Sequence, residues 1–217
     1  MVLDYRGLVG NSLVQHTKDT LSDSETLSYY IDSTIGSYEL TRYPVISYGV
    51  IESGKIQIYT IDHSERKKEF IRDTFKKLDN IIDLDFEEMN NNNGSMLDIY
   101  HINYSSSFEK NIVGQAISQR SSAGSWWDIL WKDSNLSGDI NQKFDKNTIV
   151  HEIGHCLGLR HPFDEPQNVS WNSDDTVMSY NIGAEGWSGA FTSTDLNALI
   201  SIWGREDDLG IIQFEKN

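Results

Sequence analysis

The sequence predicts an α+β fold in which a twisted, mixed five-stranded sheet is backed by helices. Short runs rich in β-branched and aromatic residues recur between Pro44 and residue 133, and such runs are typical of strands. Segments 65–82, 146–157 and 192–203 instead space their apolar residues three and four apart, which indicates helices. Six Trp and ten Tyr in 217 residues supply enough apolar surface for a core, so we expect one cooperative globular unit.

The first 43 residues show neither pattern. They are polar and rich in Ser, Thr, Asp and Tyr, without a sustained period. We therefore interpret residues 1–43 as an irregular segment that wraps over a domain formed by residues 44–217. Composition marks no further boundary, because the chain contains no Pro-rich linker and no internal repeat.

Strand patterns open the second part of the chain. Residues 45–51 (VISYGVI) and 56–61 (IQIYTI) flank a Ser-Gly-Lys turn, and we expect at least one of them to be a strand. A helix follows, and Asp62 and Glu65 have the spacing of a capping box at its start. The apolar face of this helix consists of Ile71, Phe75, Leu78 and Ile82.

Four short, partly alternating runs predict the other strands. They are residues 83–89, 96–104, 111–119 and 125–133. The low-complexity loop NNNNGS and breaks rich in Ser, Gly and Lys separate them.

Two helices complete the prediction. Asp145 is a candidate N-cap for residues 146–157, and Gly158 is well placed to end that helix. Thr192 and Gly204 bracket the last helix in the same way.

Composition also narrows the partners. The chain has 18 basic and 33 acidic residues, and its formal charge of −15 repels phosphate backbones, so nucleic acid is not an expected partner. No segment approaches the ~20 apolar residues that span a bilayer, and no N-terminal signal peptide is visible. The single cysteine, Cys156, excludes an intrachain disulfide and is expected to be a small core residue.

Half of the six histidines lie in the eleven residues HEIGHCLGLRH, 151–161. On a helix, His151 and His155 share one face, so both imidazoles can reach one metal ion. Gly158 permits a positive φ, and the chain can then turn so that His161 supplies a third nitrogen. Three protein ligands and one open position are typical of catalytic zinc.

Glu152 follows the first of these histidines and is not needed as a ligand. A carboxylate at this position can act as general base toward a zinc-activated water that attacks a carbonyl. Isolated histidines are more often structural, and HExxH alone fixes only three positions. Here five positions are fixed within a predicted helix, so we favour a zinc site for acyl-bond hydrolysis.

These residues resemble the metzincin metallopeptidases. HEIGHCLGLRH fits their extended zinc signature, and DTVMSY, residues 175–180, is similar to their Met-turn. Pro162, the ending Met-Ser-Tyr and the following DLNALISIWG resemble the serralysin branch in particular. The resemblance covers about three quarters of the chain, from about Pro44 to Gly204, and is strong only in the two motifs.

The resemblance implies a zinc-dependent endopeptidase. One catalytic zinc ion would be held by His151, His155 and His161, with Glu152 as general base. The implied fold places the sheet, a backing helix and the zinc helix above a cleft, and the Met-turn and last helix in a small subdomain below it. The substrate would be a peptide or protein, and the strand containing residues 112–118 would be an antiparallel edge strand along the cleft.

Two more roles follow from the same resemblance. Met178 would form the apolar floor beneath the metal without binding it. Tyr180 would be an additional metal ligand that leaves when substrate arrives and then donates a hydrogen bond to the oxyanion. The resemblance also implies an extracellular, monomeric enzyme, although the calcium-binding repeats usual in serralysins do not follow Gly204.

Weaker signals leave alternatives open. Residues 1–43 could be a latency segment whose acidic residue caps the zinc, with Asp4, Asp19 and Asp32 as candidates. The acidic loop between the third histidine and the Met-turn could bind calcium or select basic side chains, or could simply be solvated, and no clear calcium motif supports the first reading. Its acidic residues are Asp164, Glu165, Asp174 and Asp175.

Two other functions compete with general proteolysis. A binding or inhibitory module could retain zinc without turnover. A hydrolase could instead act on a non-peptide amide or be restricted to one partner protein, as in a toxin.

Overall fold

A computed structural model describes residues 2–47, 50–134 and 139–207 of the chain. The helices are α1 (Asn11–Leu21), α2 (Glu65–Asp79), α3 (Asp139–Cys156) and α4 (Ser193–Trp203). The strands are β1 (Thr26–Ile31), β2 (Gly36–Ser47), β3 (Val50–Thr60), β4 (Asp85–Glu88), β5 (Leu97–Ser105), β6 (Gly114–Ser121) and β7 (Gly124–Trp131). Short 3₁₀ turns lie at Tyr5–Leu8 and Pro162–Asp164. The α+β prediction is confirmed.

The sheet has seven strands, so the prediction of five was wrong. Strand β5 is central: it pairs in parallel with β1 and β7 and, further along, antiparallel with β3. Strand β4 pairs in parallel with β1 at one edge, and β6 pairs antiparallel with β7 at the other. The β2–β3 hairpin extends the sheet from β5.

The N-terminal segment contains regular structure that the sequence pattern did not predict. It supplies α1, β1 and the start of β2, and β1 lies inside the sheet between β4 and β5. Strand β2 crosses the predicted boundary between residues 43 and 44. The expectation of an irregular segment is corrected because parallel partners far along the chain stabilise β1.

The remaining strand predictions are confirmed with shifted ends. Strands β4 to β7 correspond to the four runs between residues 83 and 133, and β3 contains most of residues 56–61. Residues 48 and 49 of the predicted strand 45–51 lie outside the described residues.

Helix boundaries differ more than helix positions. The N-cap of α2 is Ser64, so the predicted capping box from Asp62 is wrong. Helix α3 begins at Asp139, several residues before the predicted start, and the Asp145 carboxylate accepts a hydrogen bond from the Ser134 N–H instead of capping. Helix α4 is capped by Thr192 and ends at Gly204, as predicted.

The sheet separates two groups of buried side chains. Alternate residues of β5 and β7, such as Leu97, Ile99 and Trp127, belong to the main core together with α2 and α3. The residues of β5 and β7 that alternate with these side chains face the other side of the sheet. Some of them belong to a second apolar cluster beneath the β2–β3 hairpin, which includes Ile58, Ile102, Ile117 and Leu130. Helix α3 is therefore fixed against one face of the sheet. No helix in the described residues is long and apolar enough to cross a membrane.

Candidate metal centre

Helix α3 and the loop after it bring three histidines together. One nitrogen from each of His151, His155 and His161 lies within 4.8 Å of the others. The Nε2 atoms of His151 and His161 are 3.3 Å apart. Among the residues that the structure describes, this is the one group of three or more His, Cys, Asp or Glu side chains that could hold a metal. A cluster of three imidazole nitrogens fits zinc, which prefers such ligands.

The turn that carries the third histidine depends on Gly158. Its φ is +99°, a region that disfavours residues with a Cβ, and the Leu159 N–H then donates to the Gly154 carbonyl at 2.8 Å. A Cβ at Gly158 would also lie 2.6 Å from the Cγ2 atom of Val14 in α1. The sequence prediction of a sharp exit at this glycine agrees with the structure.

The N-terminal segment braces the same turn. The Arg160 N–H donates to the Leu8 carbonyl at 2.7 Å, and the Gly10 N–H donates to the Gly158 carbonyl at 2.9 Å. Val9 and Leu159 form an antiparallel bridge between these bonds. This contact holds the loop between α3 and His161 in place.

Backbone carbonyls orient two of the imidazoles. The Nδ1 atom of His151 is 2.8 Å from the Val177 carbonyl oxygen, and that of His155 is 2.8 Å from the Leu159 carbonyl oxygen. Because a carbonyl only accepts, each Nδ1 carries the proton and each Nε2 keeps its lone pair. Burial lowers the pKa of His155 and of His161 to about 4, and lowers that of His151 as well. The rings are therefore neutral, which is the form that binds metal.

Glu152 lies where α3 passes beneath β6. The side chain is buried, with 6% exposure, and its carboxylate accepts a hydrogen bond from the Ala116 N–H of β6. Burial raises the pKa of Glu152 to about 8. Gly114 makes this approach fit, because a Cβ there would lie 2.5 Å from Oε1 of Glu152. An acid titrating near neutral pH can both accept and return a proton.

Met178 is fully buried beneath α3. A Cβ on Gly154 would lie 2.9 Å from the Met178 sulfur, so the thioether fills the space left by that glycine. Gly154 lies between His151 and His155 in the helix, which places Met178 behind the histidine cluster.

Tyr180 borders the cluster on its solvent side. Its ring centroid is 4.9 Å from that of His161 and 5.5 Å from that of His151, and half of the residue is exposed. Burial, with a smaller contribution from the Glu152 charge, raises the pKa of Tyr180. The phenol therefore keeps its proton at neutral pH and can act as a hydrogen-bond donor.

Asp195 is a positioning residue that the sequence analysis missed. Its buried carboxylate accepts hydrogen bonds from the Thr176 hydroxyl, the Val177 N–H and the Thr192 N–H. It thereby joins the start of α4 to the turn whose Val177 carbonyl orients His151. The spacing of Thr192 and Asp195 is that of a capping box, so a signal for this role was present in the sequence.

The acidic residues that the sequence offered as a zinc cap or a calcium site have hydrogen-bond or ion-pair partners outside the three histidines. Asp4 pairs with Arg6, Asp19 with Arg120, and Asp32 accepts from the Thr34 hydroxyl. In the acidic loop, Asp164 pairs with Arg160, Glu165 accepts from Asn168, Asp174 accepts from the Ala184 N–H and Asp175 accepts from the Asn172 N–H. Cys156 is fully buried, as expected of a core residue.

The chain is similar to three serralysins of Dickeya chrysanthemi over part of its length. Serralysin G is 35% identical over 86 residues, which covers 35% of this chain and 17% of that protein. Serralysin A is 29% identical over 99 residues, covering 43% and 20%, and Serralysin C is 30% identical over 102 residues, covering 42% and 20%. The chain thus spans a fifth or less of the length of these curated relatives. No protein-family model matches it. The similarity suggests a serralysin-type metallopeptidase.

Proposed function

We propose that this chain is a zinc-dependent endopeptidase of the metzincin type, closest to the serralysins. The supporting observation is the cluster of three neutral histidines with Glu152 and Tyr180 beside it. The partial similarity to serralysins supports the same reaction. The catalytic unit that we propose comprises residues 44–217 together with residues 1–43, which supply β1 and the start of β2 to the same sheet.

His151, His155 and His161 would hold the ion, and zinc would supply Lewis-acid polarisation and a lowered pKa for water. Glu152 would take a proton from the attacking water and later give it to the departing amine. Its buried position beside β6 supports that role, because it holds the carboxylate next to the histidine cluster. The Ala116 N–H would keep the carboxylate in place throughout.

Tyr180 would complete the site from the opposite side. As a neutral donor next to His151 and His161, its hydroxyl would hydrogen-bond the oxygen that gains negative charge during attack. We propose that it also ligates the metal before substrate arrives. Met178 would support the histidines from below without contributing a ligand.

Strand β6 would align the substrate. Its single partner strand among the described strands is β7, so its other edge is free to pair with an extended peptide. The Ala116 N–H already bonds Glu152, so peptide pairing would use other main-chain groups of β6. The resemblance to serralysins further suggests an extracellular enzyme acting as a monomer.

The decisive experiment compares wild type with Glu152→Gln, both loaded with zinc, on a denatured-protein mixture read by mass spectrometry. Gln keeps the size of the side chain but cannot take the proton, so cleavage should fall by ~10²-fold or more. Zinc content, measured by atomic absorption, should be equal in the two proteins.

The other outcomes separate the rival functions. Equal zinc content without cleavage by either protein would overturn general proteolysis and favour a zinc-retaining binding module. Cleavage of one protein from a proteome, with none of the mixture, would favour a hydrolase restricted to a single partner.

A further inference from the structure

A cavity opens beside the histidine cluster, between the first turn of α1 and the loop after α3. Its volume is about 540 Å³. His155, His161 and Ala116 form one wall, so the cavity is continuous with the metal centre and with the edge strand. Asn11 and Ser12 of α1 form the opposite wall, and Arg160 lies between the two walls.

Arg160 gives this cavity a fixed positive charge. Its backbone N–H is bonded to the Leu8 carbonyl, which anchors the residue, and the side chain is 34% exposed. Arg160 is the one Lys or Arg lining the cavity among the residues that the structure describes. The chain has a net charge of −15, so the positive charge of Arg160 is opposite in sign to the electrostatic field of the whole protein.

The described part of the protein does not supply a hydrogen-bond acceptor for every N–H group of the Arg160 guanidinium. Its Nη1 donates to Asp164 at 2.5 Å, but its Nε is buried and has no hydrogen-bond partner among the described residues. Asp164 is 69% exposed, so its pairing with Arg160 is weakened by solvent. The Nε atom is too deeply buried for a ligand in the cavity to reach, so an incoming acceptor would bind the partly exposed Nη groups and compete with Asp164.

The wall formed by α1 carries partial charge of the same sign as Arg160. Gly10 is the N-cap of this eleven-residue helix and provides no side-chain acceptor for the first-turn N–H groups. The residues of that turn line the cavity, and their partial positive charge adds to that of Arg160. Asp164 also lines the cavity and offsets part of this positive charge, so an anionic ligand is favoured where it replaces the Asp164 carboxylate beside Arg160.

From this arrangement we infer that the cavity is a substrate subsite that takes an acidic side chain through Arg160. The inference rests on the proposed endopeptidase function, because a peptide lying along β6 past His155 would reach this cavity. It assigns preference for Asp or Glu at one position of the substrate, whereas the acidic loop had suggested basic side chains.

Two measurements test the subsite separately from the peptidase reaction. The first is kcat/KM on peptide pairs that differ by Glu or Gln at each position around the cut. Wild type should prefer Glu at one position by about tenfold, as expected for a hydrogen bond to a charged group. Arg160→Gln should reduce that preference to less than about twofold while neutral peptides are still cut.

Calorimetric binding of the same Glu and Gln peptides to the inactive Glu152→Gln protein is the second measurement. The Glu peptide should bind about tenfold more tightly, and adding Arg160→Gln should remove the difference. Asp164→Asn is the matched variant that leaves Arg160 in place; removing the competing carboxylate should increase the preference. This variant also keeps the test valid if Arg160→Gln fails to fold.

The outcomes distinguish the two proposals. Cleavage without any Glu preference, or equal binding of the two peptides, would overturn the subsite and leave the peptidase intact. Absence of cleavage with a Glu-selective, Arg160-dependent affinity would overturn the peptidase and retain an anion site. If neither peptide binds, the subsite is wrong.

Discussion

The two faces of the sheet bury ionisable groups in opposite ways. On the face covered by α3, three histidines are neutral because burial lowers their pKa, and their lone pairs converge. On the face covered by the β2–β3 hairpin, Asp98 and Asp128 lie in register on β5 and β7. Burial raises the pKa of Asp98 to about 7 and that of Asp128 to about 6.

The partners of these groups explain what each face can do. Asp98 accepts from the Ser95 and Tyr100 hydroxyls, and Asp128 accepts from the Gln119 amide at 2.8 Å. Hydrogen bonds from these neutral donors lower the pKa of each carboxyl, but burial outweighs them, so the pKa of both carboxyls remains raised. His151 and His155 instead use carbonyls for orientation, and each leaves one nitrogen close to a nitrogen of His161. The difference teaches that convergent lone pairs, rather than burial alone, distinguish the face that we propose to bind metal, the candidate metal-binding face.

Removing the metal should have the largest effect of all the changes proposed. If it had no effect, the comparison between the two faces would fail. Zinc at 1,000 times its Kd should stabilise the folded protein by ~4 kcal/mol, so chelation should lower Tm markedly. His155→Asn should abolish both the zinc-dependent Tm increase and peptide cleavage. His16→Asn, a histidine outside the cluster, is the control and should keep both. A chelation-insensitive Tm in wild type would contradict the assigned site.

Asp195→Ala tests whether the turn at Val177 positions His151. The change leaves the Val177 and Thr192 N–H groups without their acceptor, so unfolding free energy should fall by roughly 3 kcal/mol. Zinc affinity should fall by about 10- to 100-fold, because the Val177 carbonyl orients His151. Thermal unfolding and a competitive zinc titration measure the two effects.

An exposed aspartate supplies the control for that variant. Asp73→Ala on the surface of α2 should change the unfolding free energy by less than about 0.5 kcal/mol. If Asp195→Ala lowers stability but leaves zinc affinity unchanged, Asp195 is structural and does not position His151.

Gly114→Ala tests the close approach of β6 to the candidate metal-binding face. A Cβ there would lie 2.5 Å from Oε1 of Glu152 and 2.7 Å from the Cγ2 atom of Thr148, so the carboxylate must move. A displaced general base should reduce kcat by about 100-fold with zinc content unchanged. Gly54→Ala, where a Cβ meets no atom within 4 Å, is the matched strand control. If the Gly114→Ala protein kept the kcat of wild type, the close approach of β6 would not be what positions Glu152.

The sequence predicted the proximity of the three histidines better than the sheet. HEIGHCLGLRH lies on one helix and one glycine turn, so local spacing was enough to bring its histidines together. Thr192 and Gly204 were found for the same reason, because capping involves neighbours in sequence. Strand β1 was missed because its stability comes from β4 and β5, whose pairing residues lie more than fifty positions away.

Long-range polar contacts were hidden in the same way. The carbonyl that orients His151 belongs to Val177, and the N–H that holds Glu152 belongs to Ala116. Main-chain groups are identical in every residue, so no residue type signals such a contact. The early start of α3 was missed because residues 139–145 lack the apolar period on which the prediction relied.

The smallest expected effect concerns the hairpin-covered face and sharpens the comparison. A carboxyl with a raised folded-state pKa stabilises the protein when protonated, and that contribution is lost as pH rises from about 4 to about 7. Asp98→Asn cannot ionise, so between pH 4 and pH 8 it should lose less unfolding free energy than wild type, by roughly 1 to 2 kcal/mol. Urea unfolding at both pH values measures this difference, with the exposed Asp73→Asn as control. If Asp98→Asn and wild type lose equal stability, folding does not raise the pKa of Asp98 and the contrast between the two faces fails.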